Sequence, residues 1–511
     1  MQLSNYSNEV LKFDSNDLII QCKFLYNKND FYTLYQHTQL IENIDCLYYK
    51  AKCLIKMIEL EKALQIAEEI KVFDNNNNIS NITPEYKLQL YNEIVSEIEN
   101  QRKIISHKIA TNTQYIYYLN FINVLYNKGI YINKIDVIFP NSYNRFVIAT
   151  EDIHNKEVIL SIPLNSLISL ELAQESKIGK YITPELRKKL NSPNHCVFTS
   201  YLLQEMNKKQ LSEWAFYFNM LPSSYDYFPI FFKEEELEWL KETQFYSTLQ
   251  LKKKEILQDY NILCESIEEY KNFSYESFLK VRMIVASRIF GVKIKNKKSD
   301  VLAPYADMLN HRKPKQTYWN YEDESEAFII SATSPIKKGE EVFDSYGKKC
   351  NSRFLLNYGF TLEDNEDNEY KMTLYVNKLW KKFSLKKDIY SPQSLIFLGF
   401  IRVFCFDGEI DNTEEKLIEN EKKCMNKIIE LFENILHKYS TSINEDKELL
   451  KDKNLSFNIR NCIIMRIGEK EIIEYYISFA KYVLNYLNKI PNNKSDPIFD
   501  KYINDNIKHF Q

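Results

Sequence analysis

Apolar residues recur every three or four positions through the first hundred residues, which predicts helices there. The clearest repeat lies in residues 47–70, where the spacing breaks near residues 59–61, so two antiparallel helices are predicted. Small or apolar residues at helical spacing along this segment are Ala51, Leu54, Ile58, Ala63, Ala67 and Ile70. Residues 1–107 are therefore predicted to be helical, as an array of hairpins or as a plain helical bundle.

The pattern changes beyond residue 115, where one helix is followed by short segments of alternating apolar and polar residues. Helical spacing returns over residues 164–290, and it returns again from residue 391 to the end of the chain. The alternating segments are predicted strands: 145–153, 157–163, 328–336, 341–346 and 371–376. Short strands interrupted by a long helical insertion predict an α+β fold flanked by all-α regions.

Composition narrows the class of protein. The 511 residues are 44% hydrophobic and 14% aromatic, which excludes a largely disordered chain. Lys and Arg total 67 against 70 Asp and Glu, so the basic surplus typical of nucleic-acid binding is absent and no nucleic-acid partner is expected. The local cluster of Lys293, Lys295, Lys297 and Lys298 is interpreted as a solvated loop, with an acidic partner as the alternative.

The nine cysteines show no closely spaced pairs, which favours reduced thiols in the core and predicts no metal site. The N-terminal residues lack a basic flank followed by an apolar stretch, so no secretory signal is predicted. The longest apolar run, residues 395–406, contains Arg402 and is too short to cross a bilayer. We therefore expect no membrane partner and a cytoplasmic location, with the nucleus as the alternative.

Two segments carry candidate chemistry. Three of the nine glycines, Gly339, Gly347 and Gly359, fall within about twenty residues, which indicates backbone that turns tightly or approaches another group closely. About thirty residues upstream, a short apolar segment ends in the polar pair Asn310-His311. Together these segments indicate an enzyme.

The order of these segments resembles the SET-domain methyltransferases of the Rubisco large-subunit methyltransferase-like class, which includes the actin histidine methyltransferases. In that class a polar Asn-His pair follows a short strand, and a Gly-Glu turn leads into a strand that ends in Tyr. Here these are Asn310-His311 and Gly339-Glu340 leading to Tyr346. The resemblance covers roughly residues 115–480 and extends to segments 214–232, 280–291 and 458–473.

The resemblance implies three regions and a fold. Residues 1–107 would form a helical region that resembles tetratricopeptide hairpins and recruits a partner. Residues 108–365 would form an α+β SET domain with a helical insertion at about 164–285. Residues 366–511 would form a C-terminal helical domain that binds a protein substrate.

The resemblance also implies S-adenosylmethionine as cofactor and specific roles for residues. Tyr346 would be the catalytic residue, because its hydroxyl orients the accepting nitrogen without adding a negative charge. The residues matching cofactor-binding positions are Arg145, Glu157, Ile159, Arg288, Asp307, Asn310, His311 and Tyr346. Those matching substrate-binding positions are Phe290, Trp319, Tyr358 and Phe360.

The acceptor is expected to be a lysine. A lysine ammonium has a pKa of about 10.4 and must lose its proton before attack, which a dry aromatic channel beside a cation promotes. Phe290 is apolar where the histidine-modifying members are polar, and it suits the aliphatic stem of a lysine. Histidine methylation is the first alternative. A non-catalytic scaffold is the second, because Phe146 stands where the class usually has glycine and would crowd the cofactor.

Overall fold

The structure is a computed structural model that describes residues 22–23, 25–26, 31–38, 43–73, 82–112, 114–140, 145–376, 379–406 and 414–489. The described residues fall into two compact units. The first contains those within Met1–Ser223 and Ile262–Tyr346, and the second contains those within Ser224–Asn261 and Gly347–Gln511. Among the described helices, none combines the length and the apolar character needed to cross a membrane.

The N-terminal part of the first unit is helical. Its helices are α1 (Phe31–Thr38), α2 (Ile44–Lys56), α3 (Leu60–Val72), α4 (Pro84–Thr111) and α5 (Gln114–Asn127). The two helices predicted within residues 47–70 are present as α2 and α3. Ala51, Ala63 and Ala67 are fully buried between them, because small side chains let the two helices approach closely. The tetratricopeptide resemblance stays a prediction, and residues 1–21 lie outside the described residues.

Short strands form the remainder of this unit, together with the parts of the helical insertion that lie outside residues 224–261. The strands are β1 (Tyr131–Ile132), β2 (Ile135–Ile138), β3 (Phe146–Ala149), β4 (Val158–Pro163), β5 (Ile168–Ser169), β6 (Ile289–Ile294), β7 (Lys297–Leu302), β8 (Asn310–His311), β9 (Thr317–Glu322), β10 (Ala327–Ala332) and β11 (Phe343–Asp344). They form small sheets in the orders β1-β4-β10-β9, β2-β3 and β5-β7-β6, together with the pair β8-β11. The β8-β11 pair is parallel, whereas the other pairings are antiparallel.

Helices fill the sequence between β5 and β6. They are α6 (Leu170–Glu175), α7 (Pro184–Arg187), α8 (Pro193–Asn207), α9 (Ala215–Phe218), α10 (Glu234–Glu238), α11 (Gln244–Ser266) and α12 (Tyr275–Arg288). Helix α12 begins after Ser274, whose hydroxyl accepts a hydrogen bond from the Ser277 backbone N–H and so caps the first turn. The helix runs directly into β6, which places Arg288 at its last turn.

The second unit contains a β-hairpin and long helices. Its elements beyond residue 347 are α13 (Asn351–Tyr358), β12 (Tyr370–Val376), β13 (Leu379–Leu385), α14 (Pro392–Cys405), α15 (Glu414–Leu436), α16 (Ile443–Leu449) and α17 (Phe457–Leu487). Phe397 of α14, Phe432 of α15 and Tyr476 of α17 meet in one buried cluster. The α+β prediction is confirmed. Strand β13 was not predicted, because its lysines hide the alternation that pairs it with β12.

Candidate active site

A strained buried tyrosine shapes the loop that carries the candidate residues. Tyr305 has φ of 77° and ψ of −48°, a conformation that L-residues rarely adopt and that costs about 1–3 kcal/mol. Its fully buried ring stacks on Phe121 with 6.3 Å between ring centroids and 8° between their planes. This packing holds the turn, which continues as a 3-10 turn (Ala306–Met308) into β8.

The parallel pair β8-β11 brings the two sequence motifs together. Phe343 lies opposite Asn310, and Asp344 lies opposite His311. Tyr346 follows two residues later, and its backbone N–H donates to His311 Nδ1 at 3.1 Å. The two rings stack with centroids 5.1 Å apart. Because Nδ1 accepts this hydrogen bond, the neutral imidazole carries its proton on Nε2.

The phenol of Tyr346 is anchored by the backbone. Its hydroxyl donates to the Leu309 carbonyl at 2.9 Å. Since a phenol has one hydrogen to donate and two lone pairs to accept with, this bond uses the hydrogen and neither lone pair. The side chain therefore presents an uncharged acceptor at a fixed position beside His311.

Asn310 links β8 to two other segments. Its amide nitrogen donates to Glu341 Oε1 at 2.7 Å and to the Arg145 carbonyl at 3.3 Å. Burial raises the pKa of Glu341, although the Asn310 hydrogen bond opposes this shift. The Arg145 guanidinium in turn donates to the Met220 carbonyl. Asn310 and Arg145 are thus neighbours.

Phe146 adopts an ordinary strand conformation. It lies half-buried in β3, where it pairs with Ile138 of β2, and its φ is not positive. The backbone here therefore does not need the conformational freedom of glycine.

Arg288 and Asp307 form a buried ion pair. Arg288 Nη1 lies 2.9 Å from Asp307 Oδ2 and 3.0 Å from the Asp307 carbonyl oxygen, and the two side chains are 10% and 1% exposed. Tyr217 of α9 donates to the same Oδ2 at 2.7 Å. The other carboxylate oxygen, Oδ1, is buried and has no hydrogen-bond partner among the residues that the structure describes.

Glu157 and Ile159 are held by a different set of contacts. The Glu157 carboxylate accepts hydrogen bonds from the His154 backbone at 2.8 Å and from Asn133 Nδ2 at 3.1 Å, and it pairs with Lys134 at 2.8 Å. Partial burial raises the pKa of Glu157, but the hydrogen bonds and the ion pair lower this pKa by more. The net result is a pKa below the ordinary value. Ile159 is fully buried in β4, and its carbonyl accepts from the Asn133 backbone.

Phe290 and Trp319, both predicted to bind substrate, are in contact with each other and with the ring of Phe328. Phe290 lies edge-on to Trp319 and to Phe328, with ring centroids 5.3 and 5.1 Å apart. Phe290 is buried and Trp319 is half-buried. The contact unites β6 with β9 and β10, so packing alone accounts for much of the position of Phe290.

Tyr358 and Phe360 lie in the second unit. Both rings pack against Phe354 of α13, with centroids 6.1 and 5.1 Å away. Gly359 between them ends α13 with φ of 78°, the left-handed conformation that favours glycine. Lys349 Nζ lies 5.6 Å from the centre of the Tyr358 ring, so this ring already faces a cation.

Sequence reasoning missed two polar side chains of the site. Tyr217 lies in the segment 214–232, which is so rich in aromatic residues that no single tyrosine stands out. Glu341 follows the Gly339-Glu340 turn, and only its pairing with Asn310 distinguishes it from a surface acid. The carbonyls of Met220 and Leu309 also anchor site residues, but backbone acceptors leave no signal in a sequence.

Comparison with known proteins now adds to this geometry. Residues 144–347 match the SET domain family, and residues 377–473 match the family described as Rubisco LSMT substrate-binding. The actin-histidine N-methyltransferase of Callithrix jacchus is 27% identical over 379 residues, which are 65% of this chain. The chain spans 63% of that relative's length.

Solved structures show the same fold. The crystal structure of the SET domain of LSMT bound to lysine and AdoHcy superposes with a TM-score of 0.62 at 21% identity. It covers 74% of this chain and 93% of its own. The structure of Rubisco LSMT bound to AdoMet has a TM-score of 0.60 at 21% identity, with 76% and 96% covered. The chain therefore contains a SET domain followed by a Rubisco LSMT substrate-binding domain, as the resemblance implied, and it is homologous to the actin-histidine N-methyltransferases.

Proposed function

We propose that this protein transfers a methyl group from S-adenosylmethionine to a side chain of a protein substrate. The observation that carries the proposal is the Tyr346 phenol, held 2.9 Å from the Leu309 carbonyl and stacked on His311. The SET-domain match and the solved LSMT structures with bound AdoMet, AdoHcy or lysine support it.

The residues present fit S-adenosylmethionine. Its amino-acid end carries a carboxylate and an ammonium group, which require a cationic donor and an anionic acceptor. Arg288 supplies the guanidinium, and the buried Asp307 Oδ1, which has no hydrogen-bond partner among the described residues, supplies the acceptor. Asn310 and the backbone around His311 would hold the remaining polar groups. When bound, the cofactor supplies an electrophilic methyl group on a positively charged sulfur.

The protein's own residues position the acceptor. With its hydrogen committed to Leu309, Tyr346 offers oxygen lone pairs that accept a hydrogen bond from the accepting nitrogen and fix its direction. The phenol adds no charge, so it does not stabilise the protonated form of a lysine acceptor. Desolvation lowers the pKa of such an ammonium and favours the reactive amine.

We propose lysine as the acceptor, with histidine as the second candidate. Phe290 is apolar and packs edge-on against Trp319 and Phe328, so its own side chain offers no polar group to hold an imidazole tautomer. The homology with actin-histidine N-methyltransferases favours histidine. We also propose that the N-terminal hairpins recruit a partner and that the protein is cytoplasmic, with the nucleus as the alternative.

Labelling tests the proposal directly. Purified protein is incubated with S-adenosylmethionine labelled in the methyl group, and with a cell extract or with purified actin. We expect labelled protein with the wild type and a loss of about a hundredfold or more with Tyr346→Phe. Tyr270→Phe is a matched control, because this buried phenol bonds Ser200 and packs against Phe273 and Phe278.

The outcomes separate the alternatives. Mass spectrometry of the labelled residue distinguishes lysine from histidine. Equal labelling by wild type and Tyr346→Phe contradicts the role of the phenol. Absence of labelling together with undetectable cofactor binding in calorimetry favours the non-catalytic scaffold.

A further inference from the structure

The hairpin formed by β12 and β13 has one buried face and one exposed face. The pairing places Met372 opposite Phe383 and Tyr370 opposite Leu385, and these four side chains are buried in the core of the second unit. Successive side chains of a strand point to opposite faces. The outward face therefore carries three cross-strand pairs: Lys371 with Ser384, Thr373 with Lys382, and Tyr375 with Trp380.

The aromatic pair on the outward face is exposed to solvent. Trp380 is 70% exposed and Tyr375 is 55% exposed, and their ring centroids lie 4.7 Å apart. The other tryptophans of the chain, Trp214, Trp239 and Trp319, are buried or half-buried. Leaving a large apolar ring in water forgoes the stabilisation that its burial would give. Exposed Trp and Tyr side chains of this kind are typical of residues that dominate binding to a partner.

The same face is positively charged. Lys371 and Lys382 are both exposed, and neither forms an ion pair with any residue that the structure describes. Lys381 is also exposed, but it pairs with Leu374 and so belongs to the other face of the hairpin. The acidic residue next to this face is Glu369, which immediately precedes β12. Its carboxylate accepts a hydrogen bond from Ser384, at the end of the hairpin away from the aromatic pair. The aromatic end is therefore bordered by lysines.

We propose that this outward face binds an acidic segment of the protein substrate. Carboxylates of the segment pair with Lys371 and Lys382, and an apolar side chain at the next alternate position, beyond Lys382, lies on the Tyr375 and Trp380 rings. Positions two apart on a strand repeat every 6–7 Å or so, which matches alternate side chains of an extended peptide. That the bound segment belongs to a substrate rests on the proposed function. That the segment is acidic rests only on the lysines of the face.

A protein partner fits this face better than a lipid surface. The two rings contact each other, and with Lys371 and Lys382 they lie at the strand spacing that alternate side chains of an extended peptide match. Strand β13 also begins the stretch that matches Rubisco LSMT substrate-binding, at residues 377–473.

Binding of a synthetic peptide tests the proposal. The probe is a short fluorescein-labelled peptide with glutamate at two successive alternate positions and leucine at the next alternate position, so that all three side chains share one face when the peptide is extended. Its partner peptide has glutamine in place of both glutamates. Fluorescence anisotropy at low salt is expected to show binding of the glutamate peptide that is about tenfold or more tighter than that of the glutamine peptide. The glutamate peptide is also expected to reduce iodide quenching of tryptophan fluorescence, because it covers Trp380.

Variants of the full chain locate the contact. Lys371→Glu with Lys382→Glu is expected to weaken binding about tenfold or more, as is Trp380→Ala, whereas Trp380→Phe retains most of it. The matched control is Lys293→Glu with Lys298→Glu, which reverses another exposed cross-strand lysine pair, in β6 and β7, and leaves binding unchanged.

Three results would contradict the proposal that this face binds an acidic segment. Equal affinity for the two peptides, or no effect of reversing Lys371 and Lys382, overturns the proposal. Binding to vesicles of anionic phospholipid without binding to the peptide assigns the face to a membrane and also overturns it. Because Tyr346→Phe is expected to bind the peptide normally while failing to transfer methyl groups, failure of this inference is separable from failure of the proposed function.

Discussion

Tyr217 donates its phenolic hydrogen to Asp307 Oδ2 across 2.7 Å, although the two residues lie 90 positions apart in the chain. Burial, together with the neighbouring Asp307 charge, raises the pKa of Tyr217 well above its ordinary value. The phenol therefore stays protonated and donates throughout the physiological pH range. It shares the carboxylate with Arg288, so the inserted helix α9 helps to orient the Arg288–Asp307 pair.

Tyr217→Phe is predicted to weaken cofactor binding more than it weakens the fold. Removing the hydroxyl leaves Oδ2 with one partner fewer and frees the carboxylate to turn. We expect S-adenosylhomocysteine affinity to fall about three- to tenfold, measured by calorimetry, with a stability loss of about 1 kcal/mol in urea unfolding. Tyr270→Phe removes a comparable buried hydroxyl and is expected to lose similar stability with unchanged affinity. Equal affinity in both variants contradicts this role for Tyr217.

Arg288 is predicted to have separable structural and binding roles. Arg288→Met leaves the Asp307 carboxylate buried without its cation, which costs about 3–5 kcal/mol. The double variant Arg288→Met with Asp307→Leu removes both charges and is expected to recover most of that stability. Neither variant should bind S-adenosylhomocysteine detectably. Recovery of binding in the double variant would show that the pair is only structural.

The motifs that meet locally were predictable from sequence, and the contacts between distant segments were not. Asn310-His311 and Tyr346 are identified by order and spacing, and the parallel pair β8-β11 brings them together. Tyr217 reaches Asp307 only because the helical insertion folds back, and no periodicity specifies that contact. The strained conformation of Tyr305 is likewise a consequence of buried packing that the sequence does not reveal.

The alternation of apolar and polar residues predicted the positions of the strands correctly, but it predicted their ends less accurately. The predicted strand 145–153 is realised as Phe146–Ala149, and the predicted strand 341–346 as Phe343–Asp344. Beyond Ala149 the burial no longer alternates, because Thr150, Glu151 and Asp152 are all exposed. Phe290 is buried against Trp319 and Phe328, so packing accounts for its apolar character as well as a substrate contact does, and its substrate-binding role stays a prediction.

Glu469 is predicted to make stability fall as pH rises. It is fully buried in α17, and burial raises its pKa to about 7 from 4.5, although the backbone N–H groups of Gln244 and Phe245 and the Tyr439 hydroxyl lower it. Between these two pKa values the folded state holds a proton that the unfolded state has lost. The stabilisation is therefore full below about pH 4.5 and is lost as pH rises through about 7.

This pH dependence has a matched variant. Between about pH 5.5 and about pH 8, wild type is expected to lose about 2 kcal/mol more unfolding free energy than Glu469→Gln, whose amide does not titrate. Urea unfolding at each pH measures the difference. Parallel pH profiles for the two proteins would mean that the three hydrogen-bond donors keep Glu469 ionised.

Gly359 is predicted to tolerate no side chain, for two separable reasons. Its φ of 78° strains any L-residue, and a Cβ there would lie 2.4 Å from the Tyr227 ring and 2.9 Å from the Tyr227 carbonyl. Gly339 has a similar φ of 85° but nothing within 4 Å of such a Cβ. Gly339→Ala therefore measures the backbone strain alone, about 1 kcal/mol.

Gly359→Ala is expected to lose about 2 kcal/mol beyond that, because Tyr227 or the end of α13 must move. Tyr358 and Phe360 would shift with the end of α13. Equal losses for the two variants in urea unfolding would show that Tyr227 yields freely and does not fix the position of these two rings.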